Sequence, residues 1–367
     1  MDNQPIVIAV TGLNAIDSPG PGVAVIRALK DGLPQVKIIG LAYETLEPGI
    51  YLHDIVDKTY QIPYPSAGSD ALLTRLQYIH SKEKVQVLIP NFDAELYNFI
   101  KLGPALKAMG IHTFLPTQEQ FDARDKINLY QFGLKYNLSV PADKVIYSSH
   151  DLYTCAETMG YPLVVKGKFY DAIICHTLDQ AQKAFYKLSA KWGLPIIVQQ
   201  FIAGTEINIA VLGDGNGTAI SIIPMRKLYI TDKGKAWAGI TLEDESLLAL
   251  ATTFVQATKW KGGCELEIMR TNAGVPYIME INPRFPAWIY LTAGAGQNQP
   301  AALAKMALGQ QVIPYTNYAV GKMFIRYAWD HIVDVSEFQQ ISGMGETAAT
   351  KPTPTNKKLH IKKARIF

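Results

Sequence analysis

The stretch LLTRLQYIHSKEKVQVLIPNFDAEL, residues 72–96, constrains the fold more than any other. It carries a helical apolar pattern, a short turn, a run of consecutive apolar residues, and then polar Asn91 and Asp93 as that run ends. An uninterrupted apolar run of strand length, coming after a helix, is what a strand covered on both faces needs. The unit recurs through the first third of the chain. IVIAV (6–10), VKIIGL (36–41), VQVLIP (85–90) and IHTFLP (111–116) alternate with helical patterns over 23–33, 71–80 and 94–109. This βαβ rhythm predicts an α/β domain with a parallel sheet, which places ligands at the carboxyl ends of its strands.

The chain has 367 residues, 48% hydrophobic and 18% charged, enough for two or three packed domains. Its net charge of +3 is uneven, because residues 348–367 hold Lys351, Lys357, Lys358, Lys362, Lys363 and Arg365 and no acid. That tail contributes +6, so the remainder carries −3. Cys155, Cys175 and Cys264 are far apart and show no Cys-x-x-Cys spacing, so neither a disulfide framework nor a zinc ribbon is predicted. No apolar run reaches the ~20 residues of a membrane span. MDNQPIVIAV opens with an acid where a signal peptide carries basic residues, so a soluble chain in the reducing cytoplasm is expected. The stretch ETAATKPTPTNKK reads as a flexible connection to the basic end, and no nucleic-acid partner is expected from an isolated basic tail.

TGLNAIDSPGPGVAVIRALK, residues 11–30, suggests a dinucleotide cradle, with Glu44 near the end of the next apolar run. The fingerprint is incomplete, because Val25 occupies the place of the third glycine. The chemistry lies later, in GGCELEIMRTNAGVPYIMEINPRF, residues 262–285. Two apolar strands, 264–269 and 275–281, flank the turn RTNAG, so a hairpin would bring Glu267 near Glu280 and Asn282. Glu280 and Asn282 are two apart and share a face. Three oxygen donors followed by Arg284 would suit Mg²⁺ bridging phosphate oxygens. Spacing alone equally fits a surface hairpin with incidental acids.

MEINPRF after a strand carrying Glu267, with TAGAGQNQPAALAKMALG downstream, resembles the metal-binding end of the ATP-grasp superfamily, in the branch of the carbamoyl-phosphate synthetase large chain and biotin carboxylase. The resemblance covers roughly residues 5–312. It implies an N-terminal parallel-sheet domain (1–116) and a two-subdomain ATP-grasp domain (117–330, lid about 140–200), with 331–367 as an extension. It also implies that Glu267, Glu280 and Asn282 hold magnesium, with Mn²⁺ as an alternative, and that Arg284 serves the phosphate or carboxylate. Lys126 in ARDKINLYQFGLKYNLSVP, near the start of a helix expected over 125–136, resembles the first nucleotide-binding lysine. Lys166 in GYPLVVKGK resembles the second. In IIVQQFIAGTEINIAVLGDG the resemblance puts Gln200 and Ile202 at the adenine and Glu206 at the ribose, with Gln200 standing where the family usually has Glu. A second departure is the lid loop GKFYDAIIC, which has one glycine where the family wraps phosphates with several; Lys168 is expected to compensate by charge. In this superfamily the loop after the first strand walls the acceptor pocket, so Gly12, Gly20 and Gly22 are expected to let the backbone approach a substrate.

The seven histidines form no His-x-x-x-His pair and no Gly-x-Ser-x-Gly elbow occurs, so zinc and serine-hydrolase chemistry lack support. PMRKLYITDKGKAW, residues 224–237, is basic, and Arg226 is the residue expected on the acceptor side. Phe254, Val255, Thr258 and Trp260 read as core. The expected activity is an ATP-dependent ligase joining a small-molecule or peptide carboxylate to an amine through an acyl phosphate. An ATP-dependent carboxylase or carbamoyl-forming enzyme acting on bicarbonate, and a nucleotide-binding regulatory protein of the same fold, are the alternatives. A homodimer is left open.

Overall fold

The computed structural model describes residues 5–16, 19–168, 171–328 and 330–347. The basic tail, and Phe169 and Tyr170 of the lid loop, lie outside the described residues.

Strands β1 (Ile6–Val10), β2 (Val36–Ala42), β3 (Lys58–Gln61) and β4 (Val87–Ile89) form a parallel sheet in the order β3-β2-β1-β4. Their apolar runs are continuous because both faces are covered. Ile8 and Val10 pack on α1 (Pro21–Gly32), while Val7 and Ala9 pack with α2 (Ser69–Glu83) and α3 (Asp93–Ala108). The strand order reverses between β1 and β4, which puts the crevice at Thr11, Gly12, Asn91 and Asp93. IHTFLP, expected as a strand, makes only a single bridge of His112 to Val87 before Pro116, beyond which the chain turns into α4 (Gln118–Ala123).

The glycines of the first loop are packing devices. Gly12 sits at φ +82°, and Gly22 donates its N–H to Gly12 O at 2.9 Å. A Cβ on Gly22 would lie 2.2 Å from Thr11 O, so α1 rests directly on the loop backbone. This close approach leaves no room for a pyrophosphate beside Gly22.

Under that loop Glu95 is wholly buried. Its Oε1 accepts from Thr11 Oγ1 (2.5 Å), Asn91 N (2.7 Å) and Phe92 N (3.0 Å), and its Oε2 from the Tyr43 hydroxyl. Burial lifts its pKa to about 7, against the pull of these donors. The folded state therefore binds a proton that the unfolded chain releases near 4.5, so this group costs stability as pH rises from about 4.5 to 7. Glu95→Gln keeps the acceptor for the three donors and turns an amide toward Tyr43. Its denaturation midpoint should vary less with pH over that window than the wild type's, by up to about 3 kcal/mol at one pKa unit per ~1.4 kcal/mol. Parallel pH profiles of the two proteins would contradict this.

The second sheet, β5 (Asp143–Ile146), β6 (Leu163–Gly167), β7 (Ala172–Cys175) and β8 (Ile196–Gln200), is antiparallel in the order β5-β8-β6-β7. It follows α5 (Leu129–Tyr136), which begins four residues later than the expected start at 125. Lys126 consequently lies in the turn between α4 and α5. One face of this sheet packs on α6 (Asp151–Met159) and α7 (Leu178–Trp192) through Leu163, Val165, Ile196 and Val198.

The third sheet has six strands in the order β13-β12-β9-β10-β11-β14. These are β9 (Thr205–Asp214), β10 (Ala219–Ile230), β11 (Ala236–Thr241), β12 (Lys261–Arg270), β13 (Pro276–Asn282) and β14 (Met323–Ile325). Ile207, Ile209, Val211, Leu266 and Ile268 face α5 and α8 (Glu245–Thr258), where Phe254, Val255, Thr258 and Trp260 are core as expected. On the opposite face, Ala210, Leu212, Ile223 and Met225 share one apolar core with the first domain, α9 (Tyr290–Gly294) and α10 (Gln299–Ala307). The chain then returns to the first domain. α11 (Val335–Met344) and Thr347 dock against β3, with Thr59 N donating to Thr347 Oγ1 at 3.1 Å and Arg75 Nη2 to Gly345 O at 2.6 Å. Residues 331–347 therefore lie against the first sheet's domain.

Candidate active site

The β12–β13 hairpin sets the geometry. Glu267 stands opposite Glu280, and Glu265 opposite Asn282, so all four side chains project from one face. Asn208 on β9 is opposite Glu267 and joins them. Glu265 was not among the expected site residues, although the two-residue spacing that relates Glu280 to Asn282 also relates Glu265 to Glu267. It is the most enclosed acid of the hairpin, at 6% exposure. Its Oε1 accepts from Asn208 Nδ2 and Trp288 Nε1, both at 2.7 Å, and its Oε2 from Asn282 Nδ2 at 3.2 Å. Asn282 Nδ2 also donates to Glu267 Oε1 at 3.1 Å. Burial, with Glu265 and Glu280 close by, lifts Glu267 to about 7.

Cations close on this face from three sides. Lys126 Nζ lies 3.2 Å from Glu280 Oε2. Lys166, on β6 of the second sheet, is drawn below the ordinary lysine value by burial and by Lys126, against the attraction of Glu280, Asp143 and Glu267. Two ammonium groups held this close favour a polyanion between them. Arg284 follows β13, with Nε 3.5 Å from Asp93 Oδ1 and Nη1 3.7 Å from Glu265 Oε2. Burial opposes its charge, but Asp93 and Glu265 outweigh it and raise its pKa. Asp93 opens α3, so this pair ties the carboxyl edge of the first sheet to the hairpin.

Arg226 and Gln200 turn their side chains away from this face. Arg226 pairs with Ile207, so its side chain is on the opposite face of the sheet from Asn208, and it is exposed. Lys227, the next residue, lies on the Asn208 face instead. Burial pulls Lys227 down, but Glu267, Glu206 and Glu265 more than restore the charge, and its Nζ lies 3.1 Å from Glu206 Oε2. In the second sheet, Gln199 pairs with Val164 and Asp143 and shares the face of Lys166, whereas exposed Gln200 pairs with Leu163 and turns away. Gln199 is 2% exposed and its Oε1 has no hydrogen-bond partner. Ile202 is buried beyond the strand end, Glu206 is exposed on the Asn208 face, and Lys168 follows β6 immediately before the undescribed pair.

The donor set fits a hard divalent cation. Glu267 and Glu280 offer carboxylate oxygens, Asn282 an amide oxygen, and Lys126 already places a positive charge on Glu280. Among the described residues no group of three or more His, Cys, Asp or Glu is arranged to hold a metal by itself. Two acids and an amide leave coordination positions for phosphate oxygens and water.

Comparison with known proteins agrees with this architecture. A family model described as "ATP-grasp in the biosynthetic pathway with Ter operon" matches residues 194–328, from β8 through β14. Residues 194–328 form an ATP-grasp region. The chain is 28% identical over 173 residues to D-alanine--D-alanine ligase of Xanthomonas axonopodis pv. citri, covering 43% of this chain and 54% of that one. The chain thus spans about half the length of the curated relatives it matches. Among solved structures, biotin carboxylase from Campylobacter jejuni superimposes with TM-score 0.67 at 14% identity, over 86% of this chain and 74% of that one. L-amino acid ligase from Bacillus licheniformis gives 0.59 at 16%, over 83% and 75%. At these identities the likeness establishes the ATP-grasp fold. Among the described residues no helix is long and apolar enough to cross a membrane.

Proposed function

We propose that this chain is an ATP-dependent ligase that joins a carboxylate to an amine through an acyl phosphate, releasing ADP and phosphate. The observation that carries the reading is the convergence of Lys126 from the core and Lys166 from the lid on the acidic face of the hairpin, where Lys126 meets Glu280 directly. A carboxylate is a poor electrophile until a phosphoryl group is attached to it; an amine then displaces that phosphate. Lys126 and Lys166 would bind and orient the triphosphate, Ile202 and the backbone of Gln200 would border the adenine with Gln199 facing it, and Glu206 would reach the ribose. Glu267, Glu280 and Asn282 would hold Mg²⁺ or Mn²⁺, which when bound neutralises phosphate charge and fixes the γ-phosphoryl group for in-line transfer. Arg284 would face the carboxylate, between the divisions we propose at 1–116 and 117–330.

An amine acceptor is preferred over bicarbonate chemistry on one observation. Arg284 is flanked by Asp93 and Glu265, so its charge is already offset, and the surroundings favour a cationic substrate over a second small anion. ADP release, measured against carboxylates and amines offered in pairs, should require one of each. Release with bicarbonate alone would overturn the choice of reaction, and no release with any pair would favour a regulatory nucleotide binder.

The acidity of Glu267 gives a second prediction. A metal ligand must be deprotonated, and Glu267 holds its proton up to about 7. With nucleotide saturating, the Mg²⁺ affinity should climb up to about tenfold per pH unit below 7 and level off above it. A flat profile between pH 5.5 and 8 would remove Glu267 from the ligand set.

A further inference from the structure

We infer that Glu265 is the positioning residue of this metal site: it fixes the amide of Asn282 so that oxygen, and not nitrogen, is presented to a cation. The inference rests on the metal-site reading above. The Asn282 amide nitrogen lies 3.2 Å from Glu265 Oε2 and 3.1 Å from Glu267 Oε1, and a carboxylate oxygen such as Glu265 Oε2 is satisfied only by a donor such as that N–H. Glu267 alone is a weak guide, because it is itself a ligand and must turn toward the metal. Glu265 does not have to move. It is 6% exposed, and two donors from separate elements, Asn208 Nδ2 on β9 and Trp288 Nε1 before α9, hold its other oxygen at 2.7 Å. Arg284 Nη1, 3.7 Å from Oε2, sets the charge of the same carboxylate against that of the guanidinium. The chain thus spends a buried acid on orienting a neutral ligand, in the way outer partners orient the ligands of other metal sites.

A glutamine cannot do this. It would accept from Asn208 and Trp288 on one side and turn its own NH₂ toward Asn282, forcing that amide to flip and offer NH₂ where oxygen is needed. The experiment is titration of Mn²⁺ into the full chain with saturating ADP, reading free Mn²⁺ by electron paramagnetic resonance. Glu265→Gln should weaken Mn²⁺ binding at least tenfold, while ADP affinity without metal stays within twofold and thermal stability changes little. In an Asn282→Asp background, where either face of the side chain presents oxygen, Glu265→Gln should cost less than twofold. Folded Glu265→Gln binding Mn²⁺ within threefold of wild type, or losing the same tenfold in the Asn282→Asp background, overturns the inference. If Glu265→Gln does not fold, Trp288→Phe frees the same carboxylate to rotate and should weaken Mn²⁺ at least threefold; unchanged binding there overturns it equally. A wild-type chain that takes up no Mn²⁺ with ADP overturns the metal-site reading itself, and this inference with it.

Discussion

Glu280→Ala should lower turnover by about 10²–10³ in a chain that remains folded. Glu280 faces the cleft, and Lys126 is the cation it holds, at 3.2 Å. The substitution therefore opens no core and leaves Lys126 to be solvated, so the effect on stability should be small. The effect on rate should be large, because on the proposed reading Glu280 would help hold the metal that offsets phosphate charge; removing one such electrostatic contribution typically costs about 10²–10³ in rate. Glu267→Ala should behave alike, and Asn282→Ala more mildly because a neutral donor is lost. Normal ADP release by Glu280→Ala would remove the hairpin from the chemistry.

Lys166→Ala should weaken ATP by roughly 1.5–3 kcal/mol, through the loss of a charge-assisted contact to phosphate. Removing Lys166 also relieves the repulsion from Lys126, which keeps the expected loss within that range. Gly22→Val should do the reverse. Its side chain would meet Thr11 O, so the variant should lose thermal stability and bind the carboxylate or amine with a raised KM, while ATP affinity stays within a few-fold. Calorimetric titration of ATP into the two folded variants separates the sites. Loss of ATP by Gly22→Val with retention by Lys166→Ala would place the nucleotide at the first loop after all.

The hairpin acids were legible because a strand's period of two and a five-residue turn fix which residues can meet, and Glu267, Glu280 and Asn282 meet as those rules require. The parallel sheet was legible for a similar reason, since doubly covered strands carry continuous apolar runs. What sequence left open depends on partners far along the chain. Whether Arg226 or Lys227 faces the cleft is decided by the pairing of β10 with β9, and whether Gln199 or Gln200 does by the pairing of β8 with β5 and β6. IHTFLP has a strand's composition but lies beside a three-residue edge strand and makes one bridge to it. The return of α11 to β3 rests on hydrogen bonds such as Thr59 N to Thr347 Oγ1, between residues 288 apart, for which no local pattern exists. Glu265 was readable but hidden by its own burial: a lone acid in an apolar strand gives no sign of the donors that will surround it.

The most direct test of the account is the fate of the carboxylate oxygen. With the acceptor pair that supports ADP release, and with ¹⁸O in the carboxyl group of the acid, the phosphate released should carry one ¹⁸O atom, because displacement of an acyl phosphate by the amine leaves that oxygen on phosphorus. Unlabelled phosphate, or AMP and pyrophosphate in place of ADP and phosphate, would contradict the ligase mechanism.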